Sequence, residues 1–434
     1  MKFCYNLLFL VFFIVSAPYY FFRLWKRGNW KQNFLQRFGV YSQNLHPEEN
    51  DRIVWFHAVS VGEINLCVHL IKEFKKYCPQ FKILASTTTT TGMEELKRKL
   101  SSADIIKIYY PIDYKNIVQR AYKFFSPEAI ILIEAEIWPN FLWEAQKRKI
   151  PTFLLNARLS DRSFSRYMKA GFIFKDIFSN FNAVGVQDEK DKKNIISLGV
   201  LPQNVTIAGN LKFDGASTTL DKKLDVPSLL KKLRITPDSQ ILVAGSTHSG
   251  EEILLAKIAL RLKKRFPHFF LIIVPRHFER CKSVIAELKS TGIRAVLRTD
   301  LNSSIQTFNE TPDCLLVNTT GELRYFYGVA TLTFIGKSLT ANGGQNPIEP
   351  AALGKPVLFG PNMQNFRSIV RSFLSNNAAI QIQNAEELEH QITFLLSNPD
   401  HCQTLGRNAY NVVLKNQGGI KKSVEILSSV LKNK

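Results

Sequence analysis

The sequence predicts an α/β protein made of two doubly wound parallel sheets in tandem. Short apolar runs of strand length alternate with helix-length segments along nearly the whole chain. The 434 residues, 45% of them hydrophobic, are enough to bury two ordinary cores. A polar stretch rich in Asp, Lys, Pro and Ser, residues 221–239, interrupts the series and divides it into halves.

In chain order, residues 3–22 carry no charge and are dense in Phe, Leu, Ile and Val, which is long enough to cross a bilayer as a helix. Only Lys2 precedes them, whereas Arg23, Lys26, Arg27, Lys31 and Arg37 follow, so the positive-inside rule places the rest of the chain in the cytoplasm. Tyr19, Tyr20 and Trp25 suit the membrane interface. Ser16-Ala17-Pro18 is a poor signal-cleavage site, and Pro18 interrupts the span. An uncleaved anchor is expected, either spanning or lying in the surface. Residues 28–40 are basic and aromatic, with Arg37-Phe38-Gly39 closing a helix.

The first sheet then begins. The run 53–56 reads as a buried strand, and Ile64, Cys67, Val68, Ile71 and Phe74 fall at helical spacing behind it. Further strands are expected at 82–87, 105–109, 129–133, 152–155, 183–186 and 205–208, and turn-rich groups after most of them gather along one sheet edge. Beyond the polar break, strands are expected at 241–244, 269–274, 294–297, 314–317, 331–335 and 356–359, with helices near 385–396 and 410–431.

The formal charge of +21 implies attraction to something anionic: nucleic acid, an acidic membrane surface or a phosphorylated substrate. Nucleic acid is the weakest of these, because the aromatic residues sit mostly in apolar strands and no basic-aromatic recognition motif occurs. The six cysteines form no C-x-x-C pair and the eight histidines no H-E-x-x-H, so neither a disulfide framework nor a metal site is expected.

Four places carry candidate chemistry. Glu63, in the first helical turn after the first strand, projects into the crevice where parallel sheets bind ligands, so its carboxylate is a candidate general base. The alternative is that it only complements the helix dipole. Arg276 in Pro275-Arg276-His277 emerges at a strand end, where a guanidinium grips phosphate or carboxylate, or else pairs with Glu279. Gly321-Glu322-Leu323 opens a helix whose free N–H groups suit a phosphate. In Gly343-Gly344-Gln345-Asn346-Pro347-Ile348-Glu349-Pro350, glycines permit close approach, Asn346 and Pro347 open a helix, and Glu349 is placed to accept from a ribose. Neither G-x-G-x-x-G nor G-x-x-x-x-G-K-[ST] is present there, against a dinucleotide dehydrogenase and a P-loop nucleotidase.

These segments also stand in the order of a known family. Ser60-Val61-Gly62-Glu63, Glu134-Ala135-Glu136-Ile137-Trp138-Pro139-Asn140, Asn156-Ala157-Arg158-Leu159-Ser160, Gly209-Asn210-Leu211-Lys212-Phe213-Asp214, Ser246-Thr247-His248, Pro275-Arg276-His277, Gly321-Glu322-Leu323 and Asn346-Pro347-Ile348-Glu349 resemble the bacterial 3-deoxy-D-manno-octulosonic acid (Kdo) transferases of lipid A. The chain departs from the usual pattern at Ala135, at Asn318-Thr319-Thr320, at Lys337 and at Gln345.

The resemblance implies a glycosyltransferase-B fold, two Rossmann-like domains facing across a cleft, with an N-terminal membrane-anchor helix. The anchor is expected over residues 1–25, an acceptor domain over 26–220 and a nucleotide-sugar domain over 221–434. The implied reaction moves Kdo from CMP-Kdo to the lipid A precursor at the cytoplasmic face of the inner membrane, with inversion, no cofactor and no metal. Glu63 matches the family's general base, and Glu134 and Lys212 match positions for transition-state stabilisation. The CMP contacts match Pro275, Arg276, Thr320, Gly321, Glu322, Asn346, Pro347, Ile348 and Glu349. Rival readings are another nucleotide sugar on the same fold, or an anchored basic binding protein without catalysis.

Overall fold

A computed structural model describes residues 2–27, 32–102, 104–221, 223–302 and 310–431. The expected placements of residues 28–31 and of the Tyr20 and Trp25 side chains lie outside the described residues. The chain divides into two compact units, one of residues 1–215 with 417–434, the other of 216–416.

The first unit holds seven parallel strands: β1 (Arg52–His57), β2 (Phe81–Thr87), β3 (Ile105–Tyr109), β4 (Ala129–Ile133), β5 (Thr152–Ala157), β6 (Ala183–Val186) and β7 (Val205–Ile207). Their order is β3-β2-β1-β4-β5-β6-β7, so strand order reverses between β1 and β4. Helices cover both faces, which is why the strands read as unbroken apolar runs rather than alternating ones. Trp55, Phe141, Tyr122 and Phe125 fill the core on one face, and Phe56, Phe74 and Phe81 on the other.

The second unit repeats the plan with β8 (Gln240–Thr247), β9 (Phe269–Pro275), β10 (Ala295–Leu297), β11 (Cys314–Leu316), β12 (Leu332–Ile335), β13 (Val357–Phe359) and β14 (Ile380–Gln381). The order is β10-β11-β9-β8-β12-β13-β14, all parallel, with its reversal between β8 and β12. The two-residue β14 has no apolar run to announce it, and sequence periodicity passes over it.

Several expectations change. The helix expected over 410–431 is two helices, Pro399–Asn416 and Gly419–Leu431, broken where Gly418 takes φ +97°. The second of them belongs to the first unit, so the second domain does not run to residue 434. The reason is local: the Asp214 carboxylate accepts from the Gly418 and Ile420 N–H groups at 2.5 and 2.8 Å. Val424, Leu427 and Leu431 then enter the core around the helix Val61–Tyr77. The polar stretch 221–239 is likewise no plain linker, because it contains the helix Val226–Lys232, capped by Asp225, whose Val226 and Leu230 are buried. In place of a helix ending at Gly39 there is a 3-10 turn, Phe34–Phe38, which Gly39 does terminate at φ +72°. The charge-free N-terminal segment forms one helix, Lys2–Arg27, continuous through Pro18.

Candidate functional site

In open parallel sheets, ligands sit at the carboxyl ends of the strands where the order reverses. In the first unit that point lies between the loops after β1 and β4, and these carry Glu63 and Glu134. Ser60 caps the helix Val61–Tyr77, its Oγ accepting from the Glu63 N–H at 3.2 Å. The Glu63 carboxylate reaches back, Oε2 accepting from the Val59 N–H at 2.9 Å and Oε1 from the Ser60 hydroxyl at 2.7 Å. This is a variant of the capping box, with the carboxylate reaching the N–H one residue before the cap and the cap's own hydroxyl. The cap and the candidate base are therefore the same carboxylate, and each oxygen keeps a lone pair for a further proton. Burial is the main cause that raises the Glu63 pKa, with the Glu134 charge adding to it against the hydrogen bonds from Val59 and Ser60.

Glu134 follows β4 in the left-handed conformation, φ +63°, which a non-glycine residue adopts only where its surroundings impose it. Its N–H bonds to the Leu155 carbonyl at 2.9 Å, and its carboxylate lies 3.7 Å from Lys212 Nζ and 3.9 Å from an Arg158 guanidinium nitrogen. Asn156 is the strut between loops. At a register shift in β5 it too takes positive φ, +55°, donating to Glu134 Oε1 at 3.4 Å and accepting the Leu211 N–H at 3.1 Å. Lys212 thus arrives from the loop after the edge strand β7 and meets an acid three strands away in the sheet. Burial, above all, lowers the Lys212 pKa.

Sequence reasoning named Glu63, Glu134 and Lys212 but gave no role to Glu136, Asn156 or Arg158. Glu136 accepts from Trp138 Nε1 at 3.0 Å, and burial, with the Glu63 charge beside it, pushes its pKa up to about 7. The signal lay in the quoted motifs, but only the fold brings three acids and two cations to one strand-end edge.

In the second unit the reversal falls between the loops after β8 and β12. The buried Glu251 joins them, accepting from His248 N–H at 2.9 Å, Lys337 at 2.8 Å, Ser338 at 3.0 Å and Leu339 at 3.1 Å. Gly336 sits so near β8 that a Cβ there would lie 2.4 Å from the Ser246 carbonyl oxygen.

Pro275 ends β9, and Arg276 follows with an exposed side chain that makes no ion pair with Glu279 among the described residues. Thr320 and Gly321, the latter at φ +80°, are exposed beyond β11, the strand beside β9. Glu322 is committed elsewhere: its carboxylate takes Arg298 Nε at 3.0 Å and the Thr319 hydroxyl at 2.6 Å. The helix after it begins at Leu323. Asn346 Oδ1 accepts from the Ile348 N–H at 3.1 Å and Asn346 Nδ2 donates to Glu349 Oε1 at 3.3 Å, but the short helix Ile348–Ala352 starts one position later than expected, with Pro347 rather than Asn346 as its N-cap. Burial raises the Glu349 pKa, opposed by its bond to Asn346 and by the charges of Arg324 and Arg276. Among the described residues no group of three or more His, Cys, Asp or Glu side chains is arranged to hold a metal ion.

Two parallel α/β units, each with polar and charged side chains gathered where its strand order reverses, define the glycosyltransferase-B-like class. Solved structures agree on the fold. A glycosyltransferase from Rickettsia africae matches with a TM-score of 0.58 at 14% identity, covering 89% of this chain and 100% of that one. A UDP-GlcNAc 2-epimerase from Neisseria meningitidis matches with a TM-score of 0.57 at 17% identity, covering 87% and 100%.

Sequence comparison goes further. The family model for 3-deoxy-D-manno-octulosonic-acid transferase matches residues 32–215, and that for glycosyl transferases group 1 matches residues 310–412. The 3-deoxy-D-manno-octulosonic acid transferase of Haemophilus influenzae is 30% identical over 408 residues, 94% of this chain and 93% of that protein. Its counterpart in Rickettsia prowazekii is 32% identical, over 87% and 80%. The chain belongs to the Kdo transferase family.

Proposed function

We propose that this chain moves Kdo from CMP-Kdo to the lipid A precursor (lipid IVA), as an inverting, metal-independent transferase of lipopolysaccharide core biosynthesis at the cytoplasmic face of the inner membrane. The observation that carries the reading is the strand-end cluster of Glu63, Glu134 and Lys212, an acid with a raised pKa beside a carboxylate paired to a half-buried lysine. A binding protein has no need of such a cluster.

An acceptor hydroxyl is a poor nucleophile at neutral pH, so a base must take its proton as it attacks the anomeric carbon. Glu63 has the free lone pairs and, with its pKa raised, a stronger basicity than an ordinary glutamate. A single displacement from the face opposite the leaving group inverts the anomeric centre. The bond from the anomeric carbon to the CMP phosphate oxygen breaks, and CMP leaves with the electron pair.

Charge develops at both ends of that bond. Positive character on the sugar is met by Glu134, which also holds Lys212 in place at 3.7 Å. Lys212 and Arg276 supply positive charge for the phosphate and for the Kdo carboxylate, a task that preorganised cations perform without a metal. Thr320, Gly321, Asn346, Pro347, Ile348 and Glu349 form the proposed cytidine and ribose contacts, with Pro275 fixing the strand end. Glu322 orders that loop through Arg298. The first unit takes the acceptor and the second the nucleotide sugar, the helix Lys2–Arg27 being the membrane anchor.

The test is incubation of the purified chain with CMP-Kdo and tetraacyl disaccharide bisphosphate, followed by mass spectrometry of the lipid. The reading predicts a lipid heavier by one or more Kdo units and free CMP. Unchanged lipid, with another nucleotide sugar consumed instead, overturns it.

A further inference from the structure

The helix Lys2–Arg27 passes the usual test for a membrane span, with a mean hydropathy of 1.5 over Lys2–Tyr19. Its first turn, however, is fastened to the first unit. The Tyr5 hydroxyl donates to Asp113 Oδ2 at 2.8 Å, and the side-chain amides of Asn6 and Asn140 exchange two hydrogen bonds at 3.1 Å each. Asn6 Oδ1 also accepts the Lys115 N–H at 3.3 Å, and the Tyr5 ring meets Trp143 edge-on at 5.5 Å.

Asp113 is no stray surface acid. It is buried and takes the N–H groups of Asn140 and Phe141 at 3.0 and 2.9 Å, which caps the helix Pro139–Lys147. Asn140 closes the same motif that supplies Glu134 and Glu136.

The other end of the helix is tethered to the same edge of the same sheet. Seven residue steps after Arg27, the turn Phe34–Phe38 begins, and it is docked: Gln36 Oε1 accepts the Tyr109 N–H at 2.9 Å at the end of β3, and Arg37 donates to the Thr88 carbonyl at 2.7 Å just beyond β2. Seven steps of extended chain reach about 25 Å. A helix of 26 residues is about 39 Å long and a bilayer's hydrocarbon core about 30 Å thick. Were the helix to span, with its first turn on the unit, its last turn would stand on the far side. The connecting chain would have to return through the core in about 25 Å, carrying charged residues with it.

We infer that the helix Lys2–Arg27 is a one-sided anchor: it lies within one leaflet of the membrane, latched by Tyr5–Asp113 and Asn6–Asn140, with both ends on the side of the first unit. Its occupant is the lipid of that leaflet. Phe3, Leu7, Leu8, Phe12, Ile14 and Val15 are each more than half exposed, Phe3 and Leu7 lining a cavity against Trp143 and Glu144, while Tyr5, Asn6, Phe9 and Phe13 are partly covered. At its N-terminal end the first unit supplies the polar partners that an in-plane helix ordinarily carries on its own face. The latch sits on the same strand-end edge as Glu63 and Glu134, so a one-sided anchor holds that edge at the lipid surface. The topology does not depend on the reaction proposed above.

A protease-cleavable epitope tag placed before Met1 tests this, in the full chain expressed in a Gram-negative host. Cleavage in inverted inner-membrane vesicles, with protection in spheroplasts, is the expected result. Cleavage in spheroplasts alone overturns the inference, as does protection from both sides until detergent is added. A second arm uses N6C with N140C in a C4S background, since the other five cysteines are buried. A short bis-maleimide added to the vesicles is expected to join the two within one chain, whereas a spanning helix leaves them unjoined although the lipid product still forms.

Discussion

At the scale of single residues, Glu63 serves two ends at once, and a change at Ser60 separates them. Ser60→Ala removes the cap and is expected to lower the stability of the first unit by about 1 kcal/mol, read as a denaturation midpoint, with the acid still present. Lys212→Ala is expected to lower kcat on the order of 10²–10³-fold, because it removes a cation from the developing charge.

Glu136 gives a prediction of known sign. Its pKa rises from 4.5 to about 7 in the fold, so between these values the native protein holds a proton that the unfolded chain has lost. Stability therefore falls as pH rises through that window, and the penalty is complete above about pH 7. Glu136→Gln is expected to raise the melting temperature at pH 8 and to change it little near pH 4, with differential scanning calorimetry as the check. A variant equally destabilised at both would remove the charge as the cause.

At the scale of elements, the strands were legible because burial on both faces writes them as continuous apolar runs, and Ser60-x-x-Glu63 announced its helix by capping chemistry. What stayed hidden depends on long-range order. No local pattern says that β1 and β4 are neighbours, so the meeting of Glu63 with Glu134 at the reversal was not readable, nor the positive φ that turns Asn156 into a strut. The last helix was unreadable for the same reason, since its partner Asp214 lies some two hundred positions earlier.

Two element-scale outcomes follow. Truncation after Asn416 strips Val424, Leu427 and Leu431 from the core around Val61–Tyr77, at about 1.5–3 kcal/mol for each buried side chain. Limited proteolysis is expected to find the first unit opened. Glu251→Ala leaves four backbone donors without their acceptor and is expected to cost at least about 2–3 kcal/mol while weakening CMP binding measured by calorimetry.

At the scale of the whole molecule, the proposed reaction would give the charge of +21 a physical use, at an anionic leaflet and toward an acceptor and a donor that both carry phosphate. Most of its lysines and arginines need no individual duty for that. Binding to anionic vesicles, measured by flotation, is expected to weaken as salt shortens the screening length from about 10 Å at 0.1 M to about 3 Å at 1 M, down to a residue of binding held by the apolar helix.

The whole account rests on one proton acceptor, the carboxylate that opens the helix after β1. Single-turnover transfer from CMP-Kdo, comparing the native chain with Glu63→Gln at saturating donor, addresses it most directly. The account predicts a rate lowered on the order of 10²–10⁴-fold, CMP affinity unchanged, and the disappearance of an acid limb whose midpoint lies above the usual glutamate value of about 4.3. A folded Glu63→Gln that transfers Kdo at nearly the native rate, with the acid limb intact, would contradict it.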